Sequence, residues 1–207
     1  PAPGAVLDQS RRRCHEKFTQ VPEHPSTACP PLCICYEAAD FGAACRDLGK
    51  AKGGMMPLLV MKFGGTSVAD LARIENAATK VQSEVDRGYG VIVIVSAMSG
   101  KTNELVGWVE STSKLYDARE YDAVVSSGEN VTAGLMALRL QEMGVPARSW
   151  AGWQVPINTT SAHSAARFVS IPRDNIDAKF AEGFKVAVVA GFQGLSAEGR
   201  ITTLGRG

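Results

Sequence analysis

Three short stretches of this 207-residue chain hold side chains that could do chemistry together. In Leu59-Val60-Met61-Lys62-Phe63-Gly64-Gly65-Thr66-Ser67, a lysine ends an apolar run, two glycines make the turn, and a hydroxyl stands where a helix would begin. Glycines there let backbone N–H groups approach a phosphate, and a helix N-terminus adds about half a positive charge. Lys62 then sits beside the phosphoryl oxygens. The same residues also fit a plain strand-to-helix turn in which Ser67 caps the helix with Asp70 as its capping-box partner, and the two roles are compatible. In Val125-Ser126-Ser127-Gly128-Glu129-Asn130, a glycine turn delivers Glu129 to the first turn of a helix. Its charge there either complements the helix dipole or holds a ligand ammonium group. In Leu204-Gly205-Arg206-Gly207, glycines flank an arginine whose fork can grip a carboxylate in bidentate fashion.

A fourth stretch imitates a phosphate loop. Gly100-Lys101-Thr102 follows the apolar run Val91 to Val95, as in a strand, turn and helix. A P-loop needs a further glycine five positions before its Gly-Lys pair, so that successive N–H groups wrap the phosphates. That position is Val95, inside the strand, so the wrap cannot form. Lys101 has no assigned role and is taken as a solvated charge.

The elements that must position these groups alternate along the chain from Met56. Leu58 to Lys62 is a short strand. Ala69 to Arg87 spaces Leu71, Ile74, Ala78, Val81 and Val85 three or four apart, one buried helical face closed by Gly88. Val91 to Val95 is a β-branched run suited to a strand covered on both faces. Asn103 to Leu115 and Val131 to Met143 read as helices, the second stopped by Gly144 and Pro146. Pro172 to Glu182 is a weaker helix and Lys185 to Ala190 a further buried strand. This order predicts an α/β sandwich with a largely parallel sheet.

Composition narrows the partners. Hydrophobic residues make up 45% and the formal net charge is +1, which suits one soluble globular domain or a little more and gives no support for a nucleic-acid partner. No apolar run approaches the roughly 20 residues of a membrane-spanning helix, and the opening arginines lack a signal-type apolar stretch, so a cytoplasmic protein is expected. All five cysteines precede Met55. Cys29, Cys33 and Cys35 with His24 lack the paired Cys-x-x-Cys units of zinc sites, and no metal ligands are assigned. Residues 1 to 54 carry no sustained periodicity and are expected to be unstructured. Lys52-Gly53-Gly54 ahead of Met55-Met56 also matches read-through of a ribosome-binding sequence, which would put the natural start at Met55 or Met56.

Together the motifs resemble the aspartokinases of the amino acid kinase family. The resemblance runs from Leu58 to Gly207 through Lys-Phe-Gly-Gly-Thr-Ser at 62 to 67, Val-Ser-Ala-Met at 95 to 98 and Thr-Asn-Glu-Leu at 102 to 105. It continues through Ser-Gly-Glu at 127 to 129, Val-Ala-Gly-Phe-Gln-Gly at 189 to 194 and Thr-Thr-Leu-Gly-Arg-Gly at 202 to 207. It implies a three-layer αβα sandwich of the amino acid kinase type. It also implies transfer of the γ-phosphoryl group of ATP, with magnesium, to the side-chain carboxylate of L-aspartate, the entry step to lysine, threonine and methionine synthesis. By this resemblance Lys62 is the catalytic residue, stabilising charge on the transferred group. Lys62, Phe63, Gly64, Gly65 and Ser96 bind ATP, while Thr102, Glu129, Arg206 and Gly207 bind aspartate. Glu129 then faces the amino group and Arg206 the α-carboxylate.

What the chain lacks agrees with that chemistry. After Met55 there is no cysteine and one histidine, His163, which is expected on a loop or the surface. A carboxylate acceptor with a pKa of about 4 needs no histidine to activate it, only positive charge and alignment. In the family, Leu-Gly-Arg-Gly continues through a glycine and a serine to an aspartate, then to the rest of the kinase domain and to regulatory ACT domains. The expectation is therefore a kinase domain cut after its aspartate-binding half, from a family that forms homo-oligomers. An inactive fragment, a non-catalytic amino-acid-binding module and a sister carboxylate kinase such as acetylglutamate kinase stay open beside it.

Overall fold

The computed structural model describes residues 33–35, as backbone, and residues 56–205. Along the chain the elements are β1 (Cys33–Cys35), β2 (Leu58–Phe63), α1 (Leu71–Asp86), β3 (Gly90–Val95), α2 (Lys101–Thr112), α3 (Ala118–Val125) and α4 (Ser127–Glu142). They continue as β4 (Ala147–Trp150), β5 (Asn158–Thr159), β6 (Phe168–Ser170), α5 (Asp174–Ala181), β7 (Val186–Ala190), β8 (Gln193–Leu195) and β9 (Ile201–Thr203). In the segment expected to be unstructured, Cys33–Cys35 are extended and pair with Leu59–Met61, a departure from that expectation. The rest of that segment, with Cys29 and His24, lies outside the described residues.

The main sheet has the order β1-β2-β3-β7-β4 and all its pairings are parallel. Side chains of a strand alternate between faces, so β3 serves two cores at once. Val91, Val93 and Val95 point to the face covered by α1 and α4, where they meet Ile74, Ala78, Val81, Met136 and Leu140. Ile92 points to the other face, where Trp150, Val155, Ile157 and Ile176 of α5 cover it. Two covered faces make three layers, the sandwich expected. Each fully buried Val, Leu or Ile contributes roughly 1.5–3 kcal/mol, which is why the β-branched run has to lie in the centre of the sheet.

Local starts and stops differ from the sequence expectation in three places. Asp70, not Ser67, caps α1, its carboxylate accepting the Arg73 N–H at 2.8 Å. Ser67 instead donates its backbone N–H to Gly64 O at 2.9 Å within the turn. Leu71 is 65% exposed, and Ala77 joins Ile74, Ala78 and Val81 on the buried face. The third difference is Gly128, which lies inside α4 and not in a turn before it. The stop of α4 is as expected: Gly144 has φ +79°, and Val145 and Gly144 donate to the carbonyls of Leu140 and Gln141, both at 2.9 Å.

A second, smaller sheet has the order β6-β5-β8-β9. β8 and β9 form a hairpin with Gln193 opposite Thr203, and β5 joins β8 in parallel through Asn158 and Leu195. Gly194 permits the close approach of these strands, since a Cβ there would lie 2.3 Å from Thr159 Cγ2 and 2.8 Å from Ile157 O.

Candidate functional site

A cleft of about 440 Å³ opens at the carboxyl ends of β2, β3 and β7. In open α/β sheets this is the end where ligands bind. The turn after β2 contributes Gly65 and Thr66, and the segment after β3 contributes Ser96, Ala97 and Met98. Thr102 and Asn103 come from the first turn of α2, Glu129 from that of α4, and Phe192 from the connection between β7 and β8. The structure thus brings together Gly65, Ser96, Thr102 and Glu129 of the residues singled out from the sequence.

Ala97 organises this end. Its N–H donates to Glu129 Oε1 at 3.2 Å, fixing a carboxylate that is only 3% exposed. Its carbonyl would lie 3.1 Å from a Cβ on Gly65, so the glycine turn packs directly on it. Its methyl group would lie 2.9 Å from a Cβ on Gly128, so α4 too can approach only through a glycine. The two glycines act as spacers that bring β2, β3 and α4 to one point. Glu129 also occupies the first turn of α4, where the dipole favours an acid.

Other singled-out residues stand apart. Lys62 is exposed near the end of β2, beside Ile94 of β3, and neither it nor Gly64 lines the cleft. The Phe63 side chain is buried in the core with Val95, and its carbonyl accepts the Ser96 N–H at 3.1 Å. Arg206 and Gly207 lie outside the described residues. The helix that follows the glycine turn starts at Leu71, six residues past Gly65, and not at the turn itself. Gly100 has φ +80° and starts α2, while Lys101 pairs with Glu104 at 2.6 Å on an exposed face. Gly100 and Thr102 of Gly-Lys-Thr therefore line the cleft, and Lys101 does not. Among the described residues no three His, Cys, Asp or Glu side chains are grouped to hold a metal ion.

Sequence reasoning missed the buried polar groups behind the cleft. Gln193 is 1% exposed; its Oε1 accepts the Gly152 N–H at 3.0 Å, and its Nε2 donates to Ser126 O and Asn130 Oδ1, both at 3.1 Å. It lies in the Val-Ala-Gly-Phe-Gln-Gly motif, which was the available signal. Phe192, next to it, has φ +63°, a conformation that costs a non-glycine residue of order 1–3 kcal/mol and persists only where neighbours impose it. His163 is on an exposed loop, as expected, but its side chain turns inward. Its side chain is 11% exposed and its Nδ1 lies 2.7 Å from Oδ2 of Asp122, which is fully buried. On the outer side of α3, the Arg119 guanidinium and backbone hold the Asp117 carboxyl well below the usual carboxylate range.

Comparison with known proteins agrees with this architecture. Residues 57–207 match the family model of the amino acid kinase family. Over 152 residues the chain is 49% identical to the aspartate kinase of Stutzerimonas stutzeri and to the aspartokinase of Pseudomonas aeruginosa, covering 73% of this chain and 37% of each relative. It is 43% identical over 152 residues to aspartokinase 2 of Bacillus subtilis, with the same coverage. The chain thus spans little more than a third of the length of the curated relatives it matches. Among solved structures, the aspartate kinase of Synechocystis is similar with a TM-score of 0.59 at 39% identity, over 72% of this chain and 24% of that one. Escherichia coli aspartokinase III in complex with aspartate and ADP is similar with a TM-score of 0.62 at 23% identity, over 72% of this chain and 44% of that one, a likeness of fold. The chain belongs to the amino acid kinase family, and the curated relatives named above are aspartate kinases.

Proposed function

We propose that the cleft is the amino-acid end of an aspartate kinase site, where L-aspartate receives the γ-phosphoryl group of ATP on its side-chain carboxylate to give 4-phospho-L-aspartate. The observation that carries this reading is Glu129, a buried carboxylate pinned by the Ala97 N–H at 3.2 Å and facing a cleft that Thr102 and Gly65 also line. Its place in the first turn of α4 sets a carboxylate on the cleft wall where the ammonium group of an amino acid can reach it, and a charge-assisted hydrogen bond to that group contributes about 1.5–3 kcal/mol. Thr102 adds a hydroxyl to orient the amino acid, and Arg206 a bidentate grip on its α-carboxylate.

The acceptor carboxylate is ionised at neutral pH, so the protein need not remove a proton from it. Its task is to bring two anions into line and to offset their repulsion. Lys62, one strand position from the turn, is the cation assigned to the phosphoryl oxygens. The backbone of Phe63, Gly64 and Gly65, with Ser96 across from it, forms the nucleotide side. Magnesium enters as part of the nucleotide complex and so belongs to the substrate. The complex of E. coli aspartokinase III with aspartate and ADP supports this pairing of ligands by analogy of fold.

An ATP-turnover assay with L-aspartate tests the reading. It is run on this chain and on a chimera that continues past Gly207 with the remainder of the P. aeruginosa aspartokinase. Aspartate-dependent release of ADP, with a product trapped by hydroxylamine as the hydroxamate, supports it. ATP turnover that depends on acetylglutamate, or on no amino acid, contradicts it.

A further inference from the structure

We propose that Asp122 is a positioning residue for the amino-acid cleft, acting through Thr203 on the backbone that holds Phe192. Asp122 lies on α3 and is 0% exposed, and its carboxylate gathers two distant segments, β9 and the loop at 163–164. Thr203 Oγ1 of β9 donates to Oδ1 at 2.5 Å, the Ser164 N–H donates to both oxygens at 3.1 Å, and His163 Nδ1 lies 2.7 Å from Oδ2. The two distant segments also hold each other, the Ala166 N–H donating to Thr203 O at 3.0 Å. Ser164 has φ +63°, so the loop is bent to present its N–H to the carboxylate.

The next peptide carries the effect to the cleft. Leu204 follows Thr203 directly, and its N–H donates to Phe192 O at 2.9 Å. Phe192 lines the cleft with a left-handed backbone that only its neighbours hold in place. On the same helix side, α3 runs from Asp122 through Ser126 straight into α4, which carries Glu129. One buried carboxylate therefore sets the spacing between the helix that carries Glu129 and the strand that holds Phe192. Neither Asp122 nor Thr203 lines the cleft, and the linkage reaches Phe192 and the helix that carries Glu129, so the effect falls on the amino acid and not on the nucleotide.

This inference rests on the proposed aspartate site, and the test separates the two. L-Aspartate and MgADP are titrated calorimetrically into the 207-residue chain, its Asp122→Asn, Thr203→Val and Thr203→Ser variants and the Asp122→Asn/Thr203→Val double variant, with melting curves for each. Asn and Val keep the shape of the residues they replace, whereas Ser keeps the hydroxyl. We expect Asp122→Asn and Thr203→Val each to weaken aspartate binding about fivefold and the double variant to be less than additive, because both break one linkage. MgADP binding should change by less than about twofold, and Thr203→Ser should restore aspartate affinity. Unchanged aspartate affinity in Thr203→Val, or equal loss for both ligands, overturns the inference while leaving the site intact. Failure of the unsubstituted chain to bind aspartate overturns both. Should Asp122→Asn not fold, Thr203→Val against Thr203→Ser decides alone.

Discussion

Gly128 lies so close to Ala97 that a Cβ added to it would sit 2.9 Å from the Ala97 methyl group and 3.3 Å from Leu105 Cδ1. Leu105 Cδ1 ends a partly buried side chain that can turn aside, but Ala97 has no rotamer and is itself 4% exposed, so the closer contact cannot be relieved that way. Gly128→Ala should therefore lower stability by about 1–3 kcal/mol, although alanine is the better helix former by about 1 kcal/mol. Urea unfolding measures it. A gain in stability would mean that α4 can withdraw from β3 without cost.

Gly194→Ala should be more damaging, because its Cβ would meet Thr159 Cγ2 at 2.3 Å and the Ile157 carbonyl at 2.8 Å. Adding Thr159→Ser removes the methyl contact but leaves the carbonyl one, so it should recover part of the loss and not all. A melting temperature unchanged by Gly194→Ala would show that the β5–β8 contact is not close in solution.

Gln193→Leu keeps the volume at that position but strands the Gly152 N–H, the Ser126 carbonyl and the Asn130 amide. Each buried polar group left without a partner costs about 1–3 kcal/mol, so the variant should be among the least stable. Gln193→Glu keeps the acceptor but sets a buried carboxylate against the Ser126 and Asn130 oxygens, and should be no more stable than the leucine variant. Equal stability of Leu and Gln at this position would refute the role given to the side chain.

Asp117 caps α3 and forks with Arg119 at 2.6 Å, and its carboxyl is held below its ordinary value of 3.8. A carboxyl whose folded value is lowered stabilises above its unfolded value and loses that contribution as pH falls through the folded one. The melting temperature of Asp117→Ala should thus lie below that of the parent at neutral pH, and the gap should narrow as pH falls below 3.8. A gap that stays constant to low pH would mean that the cap acts through something other than charge. Both side chains are exposed, so the effect should be small and should shrink in salt.

The parts of the fold legible in the sequence were those set by local pattern. The run Val91 to Val95 could be read as a strand covered on both faces, because β-branched residues in succession leave no polar side. Gly144 could be read as a helix stop because the φ of +79° there favours glycine. What local pattern could not decide was which of two capping residues is used. Ser67 and Asp70 both qualify, and the turn bond from Ser67 N–H to Gly64 O takes the first out of contention. Gly128 looked like a turn glycine, yet its reason is a contact with Ala97, which lies 31 residues earlier and is brought there by the sheet. Asp122 and His163 illustrate the same limit. They are 41 positions apart, and nothing in either neighbourhood signals that one buries the other.

The central claim is that Glu129 recognises the ammonium group of aspartate, and Glu129→Gln isolates it. Glutamine can still accept the Ala97 N–H, so the fold around β3 and α4 should persist while the charge disappears. In the extended chimera, the Michaelis constants for aspartate and ATP are measured for the parent and for Glu129→Gln. A charge-assisted bond contributes about 1.5–3 kcal/mol, so the aspartate constant should rise at least about tenfold while the ATP constant changes less than about twofold. Constants that rise together, or an aspartate constant that does not move, would contradict the account.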